Sequence, residues 1–99
     1  SRGITAHNLG RVILAQGRVR EAEAMFRDAL ALAEEGGDTA TSRGITAHNL
    51  GRVILAQGRV REAEAMFRDA LALVEEGGDT AGLIERIRQD LDRAVNPPA

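Results

Sequence analysis

The chain of 99 residues contains no cysteine, lysine, tryptophan or tyrosine, and its only aromatic carbocycles are Phe26 and Phe67. Without cysteine there is no disulfide, no thiolate metal ligand and no cysteine nucleophile. Two phenylalanines are too few to build a platform on which nucleobases stack. All 13 basic residues are arginine, and against 15 acidic residues they leave a net charge of −2. No strong field therefore draws the chain to nucleic acid or to an anionic membrane, and neither is expected as a partner. No apolar run approaches the ~18 residues of a membrane span, and no signal-peptide pattern is visible at the amino end. A cytoplasmic protein is the expectation. Neither the P-loop nor the dinucleotide-binding glycine pattern occurs. No nucleophile stands with a base and an orienting group in a recognisable motif. These absences point away from an enzyme: no catalytic residue, cofactor or metal is expected.

What the sequence does contain is a repeat. Ser1 to Gly10 returns unchanged as Ser42 to Gly51, an offset of 41, and residues 1–40 match 42–81 at every position except one, where Ala33 becomes Val74. A period of this length marks a helical array, in which each unit must fit a copy of itself as neighbour. Copies this similar are what recent duplication or deliberate design would leave.

The hydrophobic periodicity is helical throughout. A helix is predicted over 4–16, closed by Gly17, because glycine accepts the left-handed conformation that ends helices. A second is predicted over about 19–35. Ala22, Met25, Phe26, Ala29, Leu30 and Ala33 form its apolar stripe, Glu21 and Glu23 lie in its first turn, and Gly36-Gly37 ends it. Asp38 is the expected N-cap of a third helix over about 39–57. Gly44 inside that helix weakens it by roughly 1 kcal/mol, so a late start near Ser42 is expected. Gly58, a helix over 60–76, Gly77-Gly78 and Asp79 repeat the punctuation. Residues 79–95 form a last helix with Leu83, Ile84, Ile87, Leu91 and Val95 on one side and charge elsewhere. It corresponds to the first helix of a third unit, with Asp90 and Asp92 where Asn49 and Gly51 stand. A polar-backed end helix closes an array in water. Asn96-Pro97-Pro98-Ala99 cannot continue it. The expected fold is all-α: two stacked helical hairpins and a C-terminal capping helix in one domain over 1–95. Repeat one is 1–41, repeat two 42–82 and the capping helix 80–95, with a tail at 96–99.

The residues Asn8-Leu9-Gly10, Gly17, Glu21-Ala22, Phe26 and Ala29-Leu30 resemble the signature of the tetratricopeptide repeat, and Asn49-Leu50-Gly51, Gly58, Glu62-Ala63, Phe67 and Ala70-Leu71 match it again. Small residues such as Gly10 and Ala22 stand where two helices cross closely, with Leu9, Ile13 and Phe26 expected to fill the space beside the crossing. The unit is longer than the family's usual 34 residues and resembles variants with Gly-Asp between repeats. It also departs from the signature. Ala6 and Ile13 stand where the family carries large aromatics, and the proline that often ends the second helix is absent. The alternative family is the Sel1-like repeat, another Ala/Leu/Gly-rich helical hairpin with the same class of function.

The resemblance implies an α-solenoid scaffold that binds a peptide or protein on its concave face, which the first helix of each hairpin lines. Carried onto this chain, that face presents His7, Asn8, Arg11 and Leu14, then His48, Asn49, Arg52 and Leu55, with Ile4, Ala15, Ile45 and Ala56 beside them. An asparagine amide offers donors and an acceptor to an extended backbone, and Arg11 and Arg52 suit carboxylates, so an acidic partner is expected. The competing reading is structural: Asn8 and Asn49 tie neighbouring helices together, and the arginines are solvated. His7 and His48 lack a third ligand for a metal and read as satisfied or solvent-facing histidines. Met25 and Met66 read as core, and Glu34-Glu35 as solvated.

A second expectation concerns assembly. About three repeats are normally needed for independent stability, and this chain has two and a helix. The face of the first hairpin that would meet a preceding repeat is uncovered. The chain is therefore expected to be a piece of a longer array or to self-associate, by exchanging hairpins or by stacking end to end.

Overall fold

The breaks between helices follow from backbone geometry at a few glycines. Gly17 and Gly58 have φ of +76° and +78°, the left-handed region that a side chain disfavours. The Arg18 N–H donates to the Ile13 carbonyl at 3.3 Å and the Gly17 N–H to Leu14 at 2.9 Å, and Arg59 and Gly58 repeat both distances one unit later. This pairing satisfies the last carbonyls of a helix and reverses the chain within three residues. The computed structural model, which describes residues 2–97, accordingly runs α1 (Arg2–Ala15), α2 (Val19–Glu35), α3 (Ala40–Ala56), α4 (Val60–Gly77) and α5 (Leu83–Val95). Ser1, expected near a helix start, and Pro98 and Ala99 of the expected tail lie outside the described residues. The array is all-helical, a solenoid of two hairpins, α1/α2 and α3/α4, with α5 packed on α4.

Each hairpin closes around one phenylalanine. Ala22, Phe26, Ala29 and Ala33 on α2, and Ala63, Phe67, Ala70 and Val74 on α4, fall at helical spacing and are all buried. A Cβ on Gly51 would stand 2.7 Å from Cε1 of Phe67, and one on Gly10 2.9 Å from Cε1 of Phe26. The rings thus lie directly on the backbone of the facing helix. Burying such a ring contributes on the order of 2–3 kcal/mol.

Four local expectations are corrected. First, α3 starts at Ala40, not near Ser42. Gly44 is where α3 approaches Val74, whose Cγ2 lies 2.6 Å from a Cβ built there, and that contact offsets the propensity cost. Second, the N-cap of α3 is Thr39, whose side chain accepts from the Ser42 N–H at 3.1 Å, rather than Asp38. Third, Leu9 does not fill the space inside its hairpin: it is 47% exposed, on the outer face of α1, whereas its twin Leu50 is 1% exposed because the first hairpin covers it. Fourth, α5 begins at Leu83 rather than at Asp79, whose carboxylate reaches forward to accept from the Ile84 N–H at 3.0 Å.

One five-residue sequence adopts two conformations at the ends of α2 and α4. Gly36-Gly37-Asp38-Thr39-Ala40 turns at Gly37 (φ +69°), with the Asp38 N–H on the Ala33 carbonyl at 2.9 Å. In Gly77-Gly78-Asp79-Thr80-Ala81, the helix runs one residue further and the turn falls at Gly78 (φ +101°), followed by positive φ at Ala81 and Gly82. The second form is held by the Thr41 hydroxyl, which donates to the Gly78 carbonyl at 2.8 Å.

Candidate functional site

The 41-residue offset puts the same side chains on successive first helices, and between those helices it builds a polar ladder. Asn49 on α3 donates through Nδ2 to Nε2 of His7 on α1 at 3.3 Å. Because Nε2 accepts, the proton lies on Nδ1, which donates to Oγ1 of Thr46 at 3.0 Å, and the Thr46 hydroxyl donates in turn to the Ser42 carbonyl at 3.4 Å. One rung further, His48 donates through Nε2 to Oδ2 of Asp90 on α5 at 2.6 Å. Asp90 stands where Asn49 stood in the preceding rung. The ring of His7 meets Phe26 edge-on at 5.6 Å, and that of His48 lies tilted on Phe67 at 5.8 Å. Each histidine therefore connects a hairpin core to the next helix.

Burial lowers the pKa of both. For His7 the nearby Arg11 adds to the effect of burial. For His48, burial outweighs the opposing pull of Asp90, and Arg52 and Arg86 push the same way as burial. Both rings are held neutral at physiological pH.

Above the ladder lies a groove of about 420 Å³, lined by His7 and Arg11 of α1, by Ile45, His48, Asn49 and Arg52 of α3, by Thr80 and Ala81 of the α4–α5 turn, and by Leu83 and Arg86 of α5. Six residues expected on or beside the concave face thus share one groove: His7, Arg11, Ile45, His48, Asn49 and Arg52. Asn8 is exposed and does not border it. Leu14 and Leu55 are half-buried and pack on the core. Arg86 was not anticipated. The signal for it was present, because Arg86 stands 41 positions after Ile45 and brings a guanidinium to a register that is apolar in both full units.

A second cluster joins the hairpins near the α3–α4 turn. Glu23 of α2 accepts from Gln57 Nε2 and from Arg59 Nη1, both at 2.7 Å, and from Arg27 Nη2 at 2.8 Å. The Gln57 amide, with Arg59 and Arg27, lowers the Glu23 pKa to about 2 against the opposing effect of burial. Among the described residues no three His, Asp or Glu side chains gather to hold a metal, and no helix is long and apolar enough to cross a membrane.

Two stacked helical hairpins closed by a single helix, with glycine facing phenylalanine at each crossing, define a helical-repeat solenoid. The sequence profile of the tetratricopeptide repeat matches residues 1–76, and the chain belongs to that family. No curated protein and no solved structure matches it. Repeats of this family are generally non-catalytic modules, and the family points to a scaffold for protein–protein interaction.

Proposed function

We propose that the groove between α1, α3 and α5 binds an acidic peptide segment of a partner protein without catalysing any change in it. The carrying observation is that Arg11, Arg52 and Arg86, from three different helices, line one groove of about 420 Å³ whose described lining contains no carboxylate. Arg52 touches Asp90 beneath the groove at 3.8 Å and remains 61% exposed, so its fork of donors is available to a ligand carboxylate. Ile45 and Leu83 supply the apolar floor that such a segment needs beside its charges. In this reading His7, His48 and Asn49 shape the groove through the ladder, since both ring nitrogens of His7, Nε2 of His48 and Nδ2 of Asn49 are engaged within it. The arginines supply the recognition.

The test is titration of the chain with a Glu/Asp-rich peptide library and with the matched Gln/Asn library by fluorescence anisotropy. The acidic library is expected to bind more tightly, with an affinity that falls as salt rises. Replacing Arg11, Arg52 and Arg86 together by Ala is expected to abolish that preference. Equal binding of both libraries, or an unchanged preference in the triple variant, would refute the groove.

A further inference from the structure

The outer face of α1 is exposed and the outer face of α4 carries α5, and the interior of the same chain shows how two such faces fit. Residues Arg2–Ala15 of α1 recur as Arg43–Ala56 of α3, and α4 repeats α2 except that Val74 replaces Ala33. Inside the chain, α3 packs on α2, and this buries Leu50 and Val53 to 1% exposure and Thr46 to 5%. On α1 the twins Leu9 and Val12 are 47% and 55% exposed. Any α2-like surface would cover them in the way α2 covers their copies. The α2-like surface in the chain is α4, and α5 lies on it. Leu83, Ile87, Leu91 and Ala94 of α5 stand at the registers of Ser42, Thr46, Leu50 and Val53, and Leu83, Ile87 and Ala94 are buried. At the registers of Gly44, Ala47 and Gly51, where α3 packs inside its own hairpin, α5 carries Glu85, Arg88 and Asp92.

The polar groups agree with the apolar ones. The interior junction is fastened by Glu23 to Gln57 and Arg59, and by His7 to Asn49 and Thr46. At the ends each half recurs without that cross-connection. Glu64, the copy of Glu23, meets Arg68 of its own helix at 3.8 Å. Arg18, the copy of Arg59, bonds Glu21 and Gln16 next to it. His48, the copy of His7, is held by Asp90 of α5.

We infer that α4 is a docking surface for α1 of a second copy, that α5 is its resident competitor, and that the chain assembles head to tail when α5 is unseated. The junction would reproduce the interior one. Leu9 and Val12 of one copy cover α4 of the next, Gln16 and Arg18 meet Glu64, and Asn8 and Thr5 take the place of Asp90 at His48. Such a contact joins two different surfaces and leaves both ends open, so it grows without closing. Tethering gives α5 an effective concentration on the order of millimolar, so in dilute solution α5 keeps the surface and the chain stays single. This inference does not rest on the peptide-binding proposal, and unseating α5 would carry Arg86 out of that groove.

Light scattering and sedimentation of the full chain over a wide concentration range provide the test. Ile87→Asp, which puts a charge into the face of α5 buried on α4, is expected to strengthen association by about tenfold or more, with a mass that rises steadily with concentration. Adding Val12→Glu to that variant is expected to reverse the gain. A second readout is a charge swap in the Ile87→Asp background: Glu64→Arg weakens association, and Arg18→Glu added to it restores it. Should Ile87→Asp lose helical content by circular dichroism, Asp90→Ala, which leaves the apolar face of α5 intact, carries the same measurement with a gain of a few-fold. A single-chain mass at every concentration in a helical variant overturns the inference. So does a mass that stops at two copies, which would mean α1 pairing with α1.

Discussion

Asp90 stands to His48 as Asn49 stands to His7: each comes from the following first helix, 42 residues on, and bonds Nε2 of the ring, at 2.6 Å and 3.3 Å. The rungs share geometry and differ in chemistry. The first joins an amide to an accepting nitrogen, and the second joins a donating nitrogen to a carboxylate.

Replacing that carboxylate by an amide should therefore be felt at one histidine only. Asp90 raises the His48 pKa against the lowering by burial. In Asp90→Asn the opposing pull is gone, and His48 is expected to titrate at a lower pH, while His7 keeps its own value. Following the two ring Cε1–H signals by NMR across pH checks this directly. A shift of both, or of neither, would contradict the ladder as described.

Acid stability follows from the same groups, in two separate windows. A histidine whose pKa is lowered in the fold binds its proton more weakly there than in the unfolded chain. Stability is thus full above the ordinary value of 6.5 and declines as pH falls from 6.5 to the lowered folded values of His7 and His48. Glu23, lowered from 4.5 to about 2, contributes stability that is present above 4.5 and lost as pH falls toward about 2. Denaturant midpoints measured against pH should show both declines. Glu23→Gln is expected to remove the lower one and to cost about 1.5–3 kcal/mol at neutral pH, the range for hydrogen bonds to a charged group.

The hairpins, the places where the chain turns and the identity of the core phenylalanines were legible because each depends on local pattern: period in α2 and α4, and a left-handed glycine at 17 and 58. What the sequence hid depends on neighbours. Leu9 and Leu50 have identical surroundings in the chain for several residues either way, yet one is exposed and the other buried, since only α3 has a hairpin on its outer side. The five residues Gly-Gly-Asp-Thr-Ala end two helices differently because Thr41 reaches the second copy and because Gly82, not Ser or Thr, follows near it. In the groove, Arg11, Arg52 and Asn49 could be read from register. Arg86 needed the further step of treating α5 as the first helix of another unit.

Gly51 separates packing from propensity. In an exposed helix, Gly→Ala gains about 1 kcal/mol. Here the new methyl would fall 2.7 Å from Cε1 of Phe67, a ring held at 0% exposure. Overpacking of this kind costs typically about 1–3 kcal/mol. Gly51→Ala is expected to lower the denaturant midpoint, and pairing it with Phe67→Leu, which withdraws the ring edge, is expected to recover part of the loss. A stabilised Gly51→Ala variant would mean that the helices do not cross this closely.

Thr39 and Thr80 offer the sharpest comparison of twin residues. Both follow Gly-Gly-Asp and precede Ala, and a reading of local sequence assigns them one role. Thr39 caps α3 by accepting from Ser42, whereas α5 takes its cap from Asp79 through the Ile84 N–H. Thr39→Ala should therefore cost about 1 kcal/mol, the usual loss of an N-cap, while Thr80→Ala should stay within about 0.5 kcal/mol, as for an ordinary surface change. Asp79→Ala is expected to cost about 1 kcal/mol and to loosen α5 selectively, which hydrogen exchange of the α5 amides would register before those of α3. Equal effects of the two threonine substitutions would show that the second turn adopts the form of the first in solution, and with it that α5 starts in another register on α4.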